Sequence, residues 1–185
     1  MFRQSLPLVD PGHVEFGFPR TICACSICAR SCYFIPGYLI LADLETIRFR
    51  LAPDQNLFDW SRQHLLASPG AKVLRGNRIF RIPTLVPARR EDGACRFLTA
   101  DNRCGIHAFA PFGCAFFDAH QSMSESDRRS KSGLQAVLES WQRGDLYAQV
   151  WTMLAEAGLM APPPEVCRTQ MRQADDPSSN PKGAP

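Results

Sequence analysis

Cysteine spacing constrains this chain more than any other feature of its sequence. Seven of the eight cysteines fall in two short windows, residues 23–32 and residues 95–114, and the first window has the pattern C-x-C-x2-C-x3-C. Thiols that serve only as small apolar core residues have no reason to cluster in this way. The two windows therefore predict a metal centre with these candidate ligands: Cys23, Cys25, Cys28, Cys32, Cys95, Cys104 and Cys114.

The cellular compartment decides whether clustered cysteines form disulfides or bind metal. Residues 1–12 contain Pro7, Asp10 and Pro11 where a signal peptide needs an unbroken apolar run. The longest apolar stretch, residues 32–42, is interrupted by a Pro-Gly pair and is far shorter than the roughly 20 residues of a membrane helix. We therefore expect a soluble cytoplasmic protein without a membrane partner, in which cysteines bind metal or take part in redox chemistry.

The charge balance argues against one further class of partner. The formal net charge is +3 and charged residues make up 21% of the chain. This is not the strong basic excess of a protein whose main partner is a phosphate backbone. Nucleic acid is therefore unsupported as a partner. A metal ion is the partner that the sequence predicts, and the question of a protein partner stays open.

The rest of the sequence predicts a small α+β domain, with short helices and β-hairpins organised around the cysteine-rich site and with C-terminal helices. Residues 1–160 are assigned to this domain, and residues 161–185, rich in Pro and polar residues, to a disordered tail. The first part of the chain is predicted to contain an extended lead-in over 1–22, a helix capped by Asp43 and ended by Pro53, and a helix over about 54–67. Two hairpins are predicted next: one runs from Val73 to Val86 and turns at Gly76-Asn77, and the other joins Cys95 to Cys104. Helices are predicted after Ser122, with a break at Gly144 and a C-terminal cap at Gly158.

The spacing of Cys25 and Cys28 is the one found in many zinc sites. Cys-x2-Cys places two sulfurs on the same side of a turn, from which both can reach one ion. A single segment of ten residues rarely wraps a tetrahedral ion alone. We therefore expect the two windows to face each other as the walls of shared sites, so that metal ties the N-terminal segment to the β-rich half of the domain.

The number of cysteines leaves the ligand set incomplete. Seven thiolates do not fill two tetrahedral sites, so two ions would need an eighth ligand or a shared bridging sulfur. Three side chains in and after the second window are candidates for the eighth ligand: His107, His120 and Asp118. A structural site is closed by four protein ligands, whereas a catalytic site leaves one position open. Cys167 lies in the predicted tail, and we expect it to take no part.

The motifs resemble those of the YkgJ-type cysteine-cluster family, described as zinc- or iron-chelating domains. The first half of the family pattern is matched by Cys25, Cys28 and Cys32, Pro36-Gly37 and Asp43-Leu44, and the second half by Cys95-Arg96-Phe97-Leu98, Cys104-Gly105-Ile106-His107 and Pro111-Phe112-Gly113-Cys114. The match covers about residues 20–120. It departs from the family where three residues separate Cys28 from Cys32, which are adjacent in the family, and where Ala110 replaces the usual Arg. The resemblance implies metal chelation and does not imply a reaction.

Three functions fit these observations. The leading hypothesis is a cytoplasmic protein that chelates zinc or iron through both windows, with an iron–sulfur cluster as one form of the bound iron. The second is a metal-dependent redox or hydrolytic enzyme, although the chain has no Gly-rich phosphate loop, no G-x-S-x-G and no H-E-x-x-H. The third is a protein-interaction module that zinc holds together, with the aromatic turn over Phe109 to Phe117 or the tail as its binding surface.

Overall fold

Short helices are combined with two small antiparallel sheets in the computed structural model, which describes residues 16–21, 23 and 25–174. The helices are α1 (Ser26–Ala29), α2 (Ser31–Phe34), α3 (Leu41–Leu51), α4 (Leu57–His64), α5 (Phe112–Ala115), α6 (Met123–Arg143), α7 (Leu146–Glu156) and α8 (Pro164–Gln173). The strands are β1 (Leu65–Ser68), β2 (Lys72–Arg75), β3 (Arg78–Arg81) and β4 (Thr84–Pro87), and β1 pairs with β4 while β2 pairs with β3. The predicted α+β class is confirmed.

Helix α3 begins three residues earlier than the sequence predicts, because its N-cap is Ile40 and not Asp43. Asp43 lies inside its first turn, where the carboxylate oxygen Oδ2 accepts the backbone N–H of Ile40 at 2.8 Å. The same oxygen accepts the N–H of Phe112 at 2.9 Å. Asp43 therefore stabilises the start of α3 from within the helix, and it also fastens α3 to the beginning of α5.

Helix α4 is shorter than predicted, because its last residues belong to a sheet. The helix ends at His64, and Leu65 continues as β1, in register with Pro87 of β4. Leu65 and Ala67 are buried, so their alternation along a strand fits the core, although Leu65 also has helical spacing from Ser61. The predicted hairpin at Gly76-Asn77 exists as β2 and β3, but residues 84–87 leave it and pair with β1.

Helices α6 and α7 supply much of the core, as the sequence predicts. Ser122 caps α6 by accepting the Glu125 N–H at 3.2 Å, and Gly144 ends it in a left-handed conformation with φ 61°. On α7, the hydroxyl of Tyr147 accepts the Leu85 N–H at 2.8 Å and donates to the Leu39 carbonyl at 3.0 Å. This helix is therefore bound to β4 and to the segment that precedes α3.

The C-terminal segment from residue 161 contains a helix where the sequence predicts a disordered tail. Helix α8 begins at Pro164, the position at which proline suits a helix start. Its Cys167 is buried, and Arg89 donates to the Cys167 sulfur at 3.2 Å. Arg81 forms an ion pair with Glu165 on the same helix. These contacts order the segment despite its polar composition, whereas residues 175–185, and residues 1–15 of the predicted lead-in, lie outside the described part of the chain.

Within residues 16–174, as far as they are described, every helix is too short or too polar to cross a bilayer.

Candidate metal centre

Four potential metal ligands converge near the N-terminus of α1. The ligand atoms of Cys23, Cys25, Cys28 and His120 all lie within 4.8 Å of one another. The Cys25 sulfur and His120 Nε2 are 3.3 Å apart, although 95 positions separate these residues in the sequence. The three cysteines are partly buried and His120 is exposed. Three sulfurs and one imidazole nitrogen form a ligand set that can hold a metal ion.

The start of α1 brings the first three sulfurs together. Cys25 is the N-cap residue of α1, and its sulfur lies 3.5 Å from the backbone nitrogen of Cys28, whose N–H it accepts. Cys28 lies one turn further along the same helix, which is how Cys-x2-Cys aims two sulfurs to one side. Cys23 is held by a hydrogen bond from its N–H to Thr21 Oγ1 at 3.3 Å.

The segment that carries His120 is fixed to the cysteines by its backbone and by Asp118. The N–H of Ala119 donates to the Cys28 sulfur at 3.4 Å. One carboxylate oxygen of Asp118 accepts the His120 N–H at 2.8 Å and the other accepts the Thr21 hydroxyl at 2.9 Å. The first of these bonds is the largest cause of the lowered pKa of Asp118. Asp118 therefore positions His120 and does not belong to the ligand group.

Hydrogen bonds at this group favour the thiolate form of Cys25. The hydrogen bond from the Cys28 N–H, followed by that from His120, lowers the pKa of Cys25 to about 6. The pKa of His120 is raised, chiefly by its hydrogen bond to Cys25. Burial raises the pKa of Cys28 to about 11. Cys25 is therefore ready to act as a thiolate ligand at neutral pH, whereas Cys28 must give up a proton to bind metal.

The other four cysteines of the two windows lie on segments that backbone contacts join, and we call them the second group; among the described residues, their sulfurs are not part of the set of ligand atoms within 4.8 Å of one another. Cys32 lies on α2, and its carbonyl accepts the N–H of Cys95 at 2.6 Å. Cys95 is connected to Cys104 through Leu98, whose N–H donates to the Cys95 carbonyl at 3.0 Å and which forms a β-bridge with Cys104. The predicted second hairpin is present as a chain reversal with this single β-bridge and not as two paired strands. It is closed by the hydrogen bond from the Thr99 N–H to the Arg103 carbonyl at 2.8 Å.

Cys114 reaches this second group because two glycines allow close packing of the backbone. The N–H of Gly113 donates to the Tyr38 carbonyl at 2.8 Å. A Cβ atom at Gly37 would lie 2.4 Å from the backbone nitrogen of Cys114, so a side chain there would push α5 away. Burial is the largest cause of the raised pKa of Cys114, and the charges of the other three cysteines in this group raise it further.

The structure therefore divides the predicted ligands into two groups. The first group combines three cysteines of the first window with His120, which follows the second window, while the second group combines Cys32 with the three cysteines of the second window. That all seven sulfurs bind metal stays a prediction. Of the candidates for an eighth ligand, His120 joins the first group, whereas the side chain of His107 is exposed and its carbonyl accepts a hydrogen bond from Arg20 at 2.5 Å.

The separation of Cys32 from its window is the feature that sequence reasoning missed. Helix α1 ends at Ala29, and Cys32 belongs to the following helix, so the three-residue gap after Cys28 turns its side chain to another part of the fold. The sequence contains one signal for this separation, because the gap between Cys28 and Cys32 is the longest between successive cysteines of the first window.

Comparison with known proteins gives no match. No family model, no curated protein and no solved structure matches this chain. Its function is therefore inferred from its own residues and their geometry.

Proposed function

We propose that this protein chelates zinc or iron through ligands from its two cysteine windows, and that the first group, Cys23, Cys25, Cys28 and His120, holds a zinc ion. One observation carries the proposal: four ligand atoms from two distant segments lie within 4.8 Å of one another. Three cysteines and one histidine are a common ligand set of structural zinc sites. The resemblance to the YkgJ-type family supports chelation as well, and membership of that family is part of the proposal.

The chemistry of the ligands favours zinc over an iron–sulfur cluster at this group. Iron–sulfur clusters are mostly held by four cysteines, and histidine ligands occur as a pair in the Rieske type. A metal-dependent enzyme would need an open coordination position, whereas the three sulfurs and the imidazole already supply the four ligands of a tetrahedral ion. We therefore propose a structural role for this ion and no reaction.

The local structure gives the ion a clear task. Helices α1 and α2 have four residues each and contain no buried residue. Helices of this length are unstable in isolation, because too few hydrogen bonds offset the cost of nucleation. An ion bound by Cys25, Cys28 and His120 would fix this segment to the loop before α6, with metal–ligand bonds in place of hydrophobic burial.

Metal analysis of the whole chain tests the proposal. The protein is purified anaerobically, its zinc and iron are measured per chain, and its visible absorption is recorded. We expect His120→Ala to lose one equivalent of zinc, while the matched control His107→Ala keeps the wild-type content. Equal zinc in the wild type and His120→Ala would show that this group does not hold the ion. An intense visible absorption band together with bound iron would indicate that the site holds an iron–sulfur cluster and not zinc.

A further inference from the structure

We propose that Cys32, Cys95, Cys104 and Cys114 hold a second zinc ion in a site that contains sulfur ligands only and shares no ligand with the first. The inference rests on the proposed metal-chelating function and extends it to a second place in the fold. Together the two groups use seven cysteines and one histidine, which are the eight ligands of two tetrahedral ions. Seven cysteines alone are one ligand short of two tetrahedral sites, and His120 supplies the eighth ligand.

Three separate parts of the chain are fastened together at this group. Cys32 is bound to Cys95 through the backbone at 2.6 Å, and Cys32 also packs against the buried cluster of Ala94, Cys95 and Leu98. The β-bridge between Leu98 and Cys104 holds the two arms of the reversal side by side. The glycine contact between residues 37 and 113 brings α5, with Cys114, against the segment after α2. Each connection involves a cysteine of the group or its direct neighbour.

The four thiols interact with one another through their charges. Burial is the largest cause of the raised pKa values of Cys32 and Cys95; the charge of Cys104 raises both further, and the charge of Cys32 raises that of Cys95. All three raise the pKa of Cys114. Every pair of the four cysteines is therefore close enough for such an interaction, which agrees with the backbone contacts that join their segments. All four are free thiols.

Backbone N–H groups are directed to the sulfurs of this group. Hydrogen bonds from Phe97 and Leu98 act to lower the pKa of Cys95, and one from Ile106 acts in the same way on Cys104. Gly37 supplies the corresponding bond to Cys114. Such bonds stabilise the thiolate form that binds metal, and they orient the sulfur as a ligand. In the metal-free state burial outweighs them, because the pKa of Cys95 is still raised to about 12.

Metal binding at this group requires the four sulfurs to move closer to one another. Within the described part of the chain, the first group is the one whose ligand atoms already lie within 4.8 Å. A tetrahedral zinc ion with Zn–S bonds of about 2.3 Å brings its sulfurs to about 3.8 Å from one another. Rotation about the Cα–Cβ bonds of cysteine can provide this approach, since Cys32, Cys104 and Cys114 are only partly buried.

The two sites should differ in how readily they release zinc. The first includes the exposed His120, whereas Cys95 in the second is 5% exposed and burial is the main cause of the raised pKa values of all four thiols there. A competing chelator must reach the ion, and the ligands must take up protons as they leave it. We therefore expect the first site to exchange rapidly and the second slowly.

The experiment measures zinc content and release from the full chain, using zinc itself as the probe and a colorimetric chelator. The wild type should contain two equivalents, released in a fast and a slow phase. His120→Ala should lose only the fast phase, and Cys104→Ser only the slow phase. Cys167→Ser is the matched control, because this buried cysteine belongs to neither group, and it should keep both phases.

The outcomes separate this inference from the proposed function. If the wild type binds only one equivalent of zinc, and if His120→Ala loses it while Cys104→Ser keeps it, the second site is overturned and the proposed function stays intact. One equivalent with the opposite behaviour would support the second site and refute the first. If Cys104→Ser does not fold, alkylation of the wild type after the fast phase decides the question. Protection of the four cysteines of the second group that is lost once the slowly released zinc has been removed would support the site; complete alkylation before that removal, or protection that persists after it, would overturn it.

Discussion

Asp43 is the residue at which a single carboxylate joins the helical core to the segment that carries Cys114. Its side chain is 1% exposed, and Oδ2 accepts the N–H groups of Ile40 at 2.8 Å and Phe112 at 2.9 Å. Both N–H groups lie at the beginning of helices, where no helical carbonyl can accept them. Replacement by alanine would therefore leave two backbone donors in the interior without this acceptor.

The size of the effect follows from these two hydrogen bonds. A hydrogen bond to a charged group contributes about 1.5–3 kcal/mol. Removal of a buried carboxylate also removes its desolvation cost, so the lower value applies to each bond. We expect Asp43→Ala to lower the free energy of unfolding by about 3 kcal/mol. Asp43→Asn keeps the shape and one acceptor oxygen, and its cost should be about 1 kcal/mol, since neutral hydrogen bonds are weaker.

Urea unfolding followed by circular dichroism measures this difference, with the m-value checked for each variant. Asp59→Ala is a suitable control, because Asp59 is exposed on α4 and its ion pair with Arg62 lies at the surface. It should change the free energy of unfolding by less than about 0.5 kcal/mol. An Asp43→Ala protein as stable as the control, or an Asp43→Asn protein as unstable as Asp43→Ala, would refute the reasoning.

Two further predictions concern pH and metal removal. The pKa of Glu125 lies below its ordinary value of 4.5, and the largest cause is its hydrogen bond with Arg129. The ionised carboxylate therefore stabilises the folded state above pH 4.5. This stabilisation is lost as the pH falls through the lowered pKa of the folded state. Glu125→Gln should flatten the acid side of the stability curve, and an unchanged slope between pH 5 and pH 2 would contradict this. Removal of zinc should speed hydrogen exchange over residues 25–34 more than over α6 and α7; equal acceleration everywhere would contradict a local role of the metal.

Local sequence signals were sufficient for much of the fold. The helix break at Gly144 was predictable because glycine adopts a left-handed conformation at little cost, and the structure has it there. The end of α4 was not predictable from local spacing. Leu65 satisfies helical periodicity with Ser61 and strand alternation with Ala67 equally well, and the choice is made by the pairing of Leu65 with Pro87, twenty-two positions away.

The candidate site was predictable in composition and not in arrangement. Spacing identifies the seven cysteines, but it does not tell which sulfur meets which, because that depends on how distant segments pack. His107 and His120 had equal claims as ligands in the sequence. In the structure, Asp118 makes the difference between the two histidines. It accepts hydrogen bonds from the His120 N–H and the Thr21 hydroxyl, and these bonds place the segment that carries His120 beside α1.

The first window is the element that connects the two proposed ions. Cys28 on α1 is a ligand of the first proposed ion, and Cys32 on α2 is a ligand of the second. Two consecutive short helices would therefore each be held by a different ion. Neither helix contributes a buried residue to the core. Because apolar contacts that would hold these helices are few, the order of the segment should depend on both ions, while the core around Tyr147 and Leu154 should persist without them. Loss of either ion should therefore loosen the same stretch of chain, although each site keeps its own four ligands.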